Sequence, residues 1–177
     1  MTDLTDLKKY IREVPDFPKP GITFYDITTL ILDADGFSLA LDRMEDFVSA
    51  KDPDLLVGIE SRGFIFGAAL ADRLGLGMAL ARKAGKLPSE VVFAEYALEY
   101  GTDRVELHED AVKPGKRTVV IDDLLATGGT MKAVCDMIER LGAEIAGIST
   151  VVELSFLPWH DKLSRFDVDY LVSYHAE

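Results

Sequence analysis

Asp122 and Asp123 stand side by side, and a loop of small and hydroxyl-bearing residues follows: Ala126-Thr127-Gly128-Gly129-Thr130. Ionised carboxylates only accept hydrogen bonds, so an adjacent pair suits two neighbouring sugar hydroxyls. Glycines leave backbone N–H groups open. Where such a loop starts a helix, the positive helix end behind those groups favours a phosphate. Together these residue types outline a site for a phosphorylated sugar. The alternative is an ordinary strand-to-helix turn, with Thr130 as cap and the acids solvated. Neither G-x-x-x-x-G-K-[ST] nor a strand-following G-x-G-x-x-G occurs, which sets aside the common nucleotide-hydrolase and dinucleotide loops.

The elements that must carry this site can be read on both sides of it. Thr118 to Ile121 is a β-branched run after Pro114-Gly115, which predicts a buried strand ending at the acids. Met131, Val134, Cys135, Ile138 and Leu141 share one helical face, and Gly142 supplies the stop. A second unit repeats the plan. Leu55 to Ile59 predicts a strand, Glu60-Ser61-Arg62-Gly63 a loop, and Phe64 to Leu74 a helix closed by Gly75. Two strand-loop-helix units imply a parallel sheet with right-handed crossovers. Ligands in such sheets gather beyond the carboxyl ends of the strands, so Ser61-Arg62 and Asp122-Asp123 should meet in one crevice.

Val119 to Thr130, with its Asp-Asp-Leu-Leu-Ala-Thr-Gly-Gly-Thr core, resembles the phosphoribosyl pyrophosphate motif of the type I phosphoribosyltransferases, and most closely their adenine-using members. Agreement runs from about residue 17 to about residue 155 through four motifs in the expected order. The resemblance implies an α/β fold over a single domain, 1–177. A central, mostly parallel sheet would be flanked by helices. A small hood (near 15–32, with the C-terminal tail) and a protruding hairpin flap (about 84–107) would complete it. It also implies transfer of a 5-phosphoribosyl group to adenine, giving AMP and pyrophosphate in purine salvage. Sister activities on 6-oxopurines or xanthine, or a non-catalytic sensor of phosphoribosyl pyrophosphate, are the alternatives.

By the same resemblance, Asp122 and Asp123 hold the ribose hydroxyls while Ala126, Thr127, Gly128, Gly129 and Thr130 cradle the 5′-phosphate. Ser61, Arg62, Arg82, Lys83 and Lys86 take the pyrophosphate, Arg62 also serving catalysis. Thr23, Phe24, Tyr25 and Leu124 receive the adenine. Phe24 would stack on the purine, and backbone near Thr23 and Tyr25 would meet its edge. Glu99, in Ala97-Leu98-Glu99-Tyr100-Gly101, would manage a purine proton from the flap. Mg²⁺ is expected to enter with the substrate, no residue cluster having metal-ligand spacing. A homodimer is expected as well.

Bulk properties agree with a soluble, cytoplasmic α/β protein. The chain has 177 residues, 48% of them hydrophobic, and shows no signal peptide and no apolar run of spanning length. A net charge of −12 argues against nucleic-acid binding. Against that background, residues 61–89 hold five bases (Arg62, Arg73, Arg82, Lys83, Lys86) and one acid, Asp72, a basic window suited to an anion. Cys135, the single cysteine, falls on the apolar helix face and is expected in the core. His108, His160 and His175 are scattered and expected at ordinary surface positions.

The remaining elements follow the same logic. Leu4, Leu7 and Ile11 predict a short N-terminal helix ending before Pro15. Ile22 to Leu32 predicts a strand or an ordered loop. Gly36 to Ala50 predicts a helix, Met78 to Ala81 a strand, and Ser89 to Leu107 a hairpin. Ile145 to Val152 and Val168 to Tyr174 predict two further strands, the last at an edge, with a helix or loop at Pro158 to Leu163. Phe156 to His160 departs from the shorter, glycine-containing tail of the resembled family.

Overall fold

The computed structural model describes residues 4–97 and 102–175. Seven strands form the main sheet: β3 (Leu55–Ile59), β4 (Gly77–Lys83), β5 (Val91–Ala97), β6 (Thr102–His108), β7 (Arg117–Leu125), β8 (Glu144–Leu154) and β9 (Val168–Tyr174). Their spatial order is β5-β6-β4-β3-β7-β8-β9. The stretch from β4 through β9 is parallel, and β6 and β5 add an antiparallel hairpin at the other edge. β1 (Arg12–Val14) and β2 (Phe24–Asp26) form a separate two-stranded sheet.

Alternation within the central strands decides which helix packs where. Leu56, Val119 and Ile121 face one core together with α2 (Ala34–Ala50) and α3 (Gly63–Leu74). Val57 and Val120 face the other, against Met131, Val134, Cys135 and Ile138 of α4 (Gly129–Arg140). Strands covered on both faces must be apolar at nearly every position, which is why these runs lack polar residues. Cys135 is buried as expected, and burial pushes its thiol up to about 12.

Caps fix two of the helix ends. Asp33 accepts from the Gly36 N–H at 2.9 Å to start α2. Gly75 ends α3 in the left-handed conformation, φ 66°.

Three expectations change. The N-terminal helix is a 3-10 turn, Leu4–Tyr10. Ile22 to Leu32 divides into β2 and a short helix, α1 (Thr28–Leu32), because Asp26 accepts from both the N–H and the hydroxyl of Thr28 and turns the chain. The strand before the acids continues through them to Leu125, since β8 keeps pairing beside it, Asp122 with Thr150 and Leu125 with Glu153. Among the described residues no helix is long and apolar enough to cross a membrane.

Candidate functional site

Strand order places the site. From β3 the chain passes through α3 to β4 on one side, and it later returns as β7 on the other. The carboxyl ends of β3 and β7 therefore flank a topological switch point, where helices diverge and leave a crevice. The crevice measures about 490 Å³, and Ser61, Arg62, Arg82, Lys83, Lys86, Asp122, Asp123, Leu124 and Thr130 line it together. Ser61 and Thr130, 69 positions apart in the chain, are thus brought to one opening.

The acidic pair is asymmetric. Asp123 is buried and accepts from Arg62 Nε at 2.6 Å, which joins the end of β7 to the start of α3. Among the described residues Asp122 makes no such ion pair. Desolvation first, and the Asp123 carboxylate second, push its carboxyl well above the ordinary range. One acid is thus fixed by a guanidinium, and its neighbour has a carboxyl shifted toward the protonated form.

A smaller cavity of about 90 Å³ lies beyond the acids, walled by Asp122, Leu124 and residues 126–131. Gly128 is left-handed, φ 73°, and occupies the N-cap of α4. A side chain there would meet Trp159 at 3.1 Å, so both conformation and space demand glycine. The first bond of the helix runs from the Lys132 N–H to the Gly128 carbonyl at 2.9 Å. The preceding N–H groups of Gly129, Thr130 and Met131 thus lie ahead of the helical ladder, an arrangement fit for an anion.

On the opposite wall the cations are organised by acids the sequence reading gave no role. Glu60, joined to Ser61 by a cis peptide, accepts from Lys86 Nζ at 2.6 Å, from the Lys83 N–H at 3.0 Å and from Arg82 at 3.3 Å. Burial alone would push Glu60 up, but the Lys86 and Arg82 donors outweigh it and hold its carboxyl at about 2. Asp103 of the hairpin accepts from Lys83 Nζ at 2.7 Å and from the Tyr96 hydroxyl at 3.0 Å. The basic window is therefore compensated in space. Glu60 lies one residue outside that window and Asp103 enters from another strand, so a linear charge count could not show either.

Other expected site residues fall elsewhere. Thr23, Phe24 and Tyr25 are not among the residues lining the crevice. Phe24 meets Phe17 edge-on, with ring centres 5.3 Å apart, and Tyr25 stacks on Tyr174 at 3.6 Å. Glu99 lies outside the described residues, bracketed in the chain by Tyr96 and Asp103, which both line the crevice. His108 corrects the expectation of a surface histidine: it is half-buried, and its Nε2 is buried with no hydrogen-bond partner among the described residues. His175 meets the Ser155 hydroxyl at 2.7 Å.

Comparison with known proteins bears on the family and the fold. A family model described as a phosphoribosyl transferase domain matches residues 30–169. The chain is 53% identical over 171 residues to the adenine phosphoribosyltransferase of Rhodospirillum rubrum, covering 97% of this chain and 99% of that one. It is 48% identical over 169 residues to that of Thermotoga petrophila, covering 96% and 99%. The crystal structure of the Thermoanaerobacter pseudethanolicus enzyme of the same name superposes with a TM-score of 0.93 at 46% identity, over 97% of this chain and all of that one. The Saccharomyces cerevisiae enzyme, crystallised with an imino-altritol bisphosphate and adenine, gives 0.88 at 35% identity, over 96% and 98%.

Proposed function

The chain belongs to the phosphoribosyltransferase family, and from that premise we propose that it transfers the 5-phosphoribosyl group of phosphoribosyl pyrophosphate to N9 of adenine, releasing pyrophosphate and giving AMP. The observation that carries the reading is a pair of adjoining cavities, sharing Asp122, Leu124 and Thr130, in which an acidic pair lies between a phosphate cradle and a wall of cations. In the reaction the bond from C1′ to the pyrophosphate oxygen breaks, the bond from C1′ to N9 forms, and the purine loses a proton.

Each part of the crevice has work in that step. Asp122 and Asp123 take the ribose hydroxyls, and residues 126–130 take the 5′-phosphate. Arg62, Arg82, Lys83 and Lys86, with Ser61, receive the pyrophosphate as it gains charge. Glu60 and Asp103 set the directions of three of those cations, so little reorganisation is needed as the charge develops. Arg can grip phosphate oxygens in pairs, while Lys acts as a point charge.

Mg²⁺ belongs to this reading. Among the described residues no group of three or more His, Cys, Asp or Glu could hold a metal, and Asp123 is engaged by Arg62. An ion carried on substrate oxygens would need no dedicated cage of protein ligands, and Asp122, which lines the crevice, would be the residue to meet it. When bound, the ion would neutralise charge on the pyrophosphate.

The purine end is assigned by family likeness. Leu124 lines the crevice beside the acids, and Phe24, which meets Phe17 outside that lining, is assigned to stack on the base by likeness alone. Because the Tyr25 ring is occupied by Tyr174, only its backbone is offered to a purine edge. Glu99 is assigned the purine proton on the N7 side. A homodimer and a cytoplasmic setting complete the proposal.

Pyrophosphate release should require adenine. In a steady-state assay with adenine, hypoxanthine, guanine, xanthine or no base, equal or faster release with any of the last four would overturn the assignment. The raised Asp122 carboxyl adds a pH dependence. Its proton goes on as pH falls into the range above the ordinary carboxylate value, and a protonated carboxyl is a poorer acceptor for ribose hydroxyls. The KM for phosphoribosyl pyrophosphate should accordingly rise on acidification, while the KM for adenine changes less. A KM ratio independent of pH would remove Asp122 from sugar binding.

A further inference from the structure

We propose that Lys162 is a positioning residue for the phosphate loop, held in place by a buried Glu153–Trp159 pair. Its helix, α5 (Trp159–Leu163), overlaps at Trp159 and His160 the Phe156–His160 segment where this sequence departs from the resembled family. The inference rests on the reading that residues 126–130 receive the 5′-phosphate.

The anchor is a carboxylate that ought not to be buried. Glu153 is 2% exposed, near the carboxyl end of β8 and directly beside Leu125, the residue from which the loop departs. Among the described residues no cation forms an ion pair with it. Its oxygens accept instead from Trp159 Nε1 at 2.8 Å and from the Ser173 hydroxyl at 2.6 Å. A buried carboxyl group is costly unless its hydrogen-bond donors stay in place, so the indole is held to one orientation.

Trp159 is the chain's single tryptophan and is itself buried. Its Cβ would lie 3.1 Å from a methyl group placed on Gly128, and Leu163 would lie 3.6 Å from it. The helix thus forms the floor of the loop. From that floor Lys162 Nζ donates to the Thr127 carbonyl at 2.6 Å. This carbonyl belongs to the Thr127–Gly128 peptide of the loop. An ammonium on its oxygen fixes the plane of the peptide and polarises its N–H. Lys162 so acts on the phosphate through the backbone without touching it. Being exposed to solvent, the contact is worth at most about a fivefold change in affinity.

The test uses the full chain and ribose 5-phosphate, followed by Trp159 fluorescence and by calorimetry, with pyrophosphate titrated separately. Lys162→Met should weaken ribose 5-phosphate about fivefold, Lys162→Arg should restore it, and pyrophosphate affinity should stay within about twofold in both. Unchanged ribose 5-phosphate affinity in Lys162→Met, or equal weakening of both ligands, overturns the proposal. Thr130→Val separates the two claims. If it loses ribose 5-phosphate while Lys162→Met does not, only the positioning role falls. If neither variant weakens binding, the phosphate assignment of the loop falls as well.

Discussion

Asp122→Asn should melt no lower than the parent protein yet lose about 10²–10³-fold in kcat/KM, since two hydrogen bonds to a charged acceptor are at stake. The two effects separate because the same carboxylate is a burden to the fold and an asset to the site. Desolvation and the Asp123 charge raise its folded pKa, so the folded chain favours the proton. Above that raised value the ionised group costs its full share of stability; the cost fades as pH falls through that value and is gone only below the unfolded chain's ordinary carboxylate value. Asparagine is neutral, nearly isosteric, and keeps an oxygen for the Asp123 N–H that Asp122 now accepts at 2.8 Å. What it lacks is the charge that makes a strong acceptor for ribose hydroxyls. Thermal melts beside steady-state kinetics check both halves. A lower melting temperature with kinetics intact would show that Asp122 serves structure alone.

Gly63→Ala should be the most damaging single-methyl substitution near the crevice. A Cβ at Gly63 would lie 2.8 Å from the Ile121 carbonyl oxygen, 3.0 Å from Asp122 Oδ1 and 3.1 Å from the Asp122 Cα. Those backbone atoms cannot yield, because Ile121 is paired with Gly58 of β3 on one side and with Ser149 of β8 on the other. The start of α3 must move instead, taking Arg62 away from Asp123. A loss of about 1–3 kcal/mol in stability is expected from overpacking, and more than about tenfold in kcat/KM from misplaced groups. Gly67→Ala is the control. Its Cβ would meet Met78 Sδ at 2.6 Å, but a flexible thioether can swing aside. If both alanine variants melt and turn over alike, backbone contact at Gly63 is not what holds the two strand ends in register.

Much of this architecture could be read from the chain because it depends on local pattern. The apolar runs at Leu55–Ile59 and Thr118–Ile121, each followed by a loop and an amphipathic helix, required a parallel sheet and placed both loops at its carboxyl edge. Glycines at 75, 128 and 142 mark left-handed turns, as their φ values show. Errors arose where a short segment's fate depends on its neighbours. Ile22–Leu32 has strand-like residues, but the Asp26 bonds to Thr28 divide it. The strand reaching Asp122 and Asp123 ends late because β8 runs beside it.

By itself, then, the sequence determined the order of elements, the acidic pair, the glycine loop and the set of cations, since these are matters of residue type and spacing. Only the tertiary structure decided which charges meet. Glu60 with Lys86, Asp103 with Lys83, Arg62 with Asp123, and Glu153 beneath the loop through Trp159 are encounters across strands and helices. The physical reason is that ionic and hydrogen-bonded interactions act over a few ångströms of space. Distance along a folded chain does not report that separation.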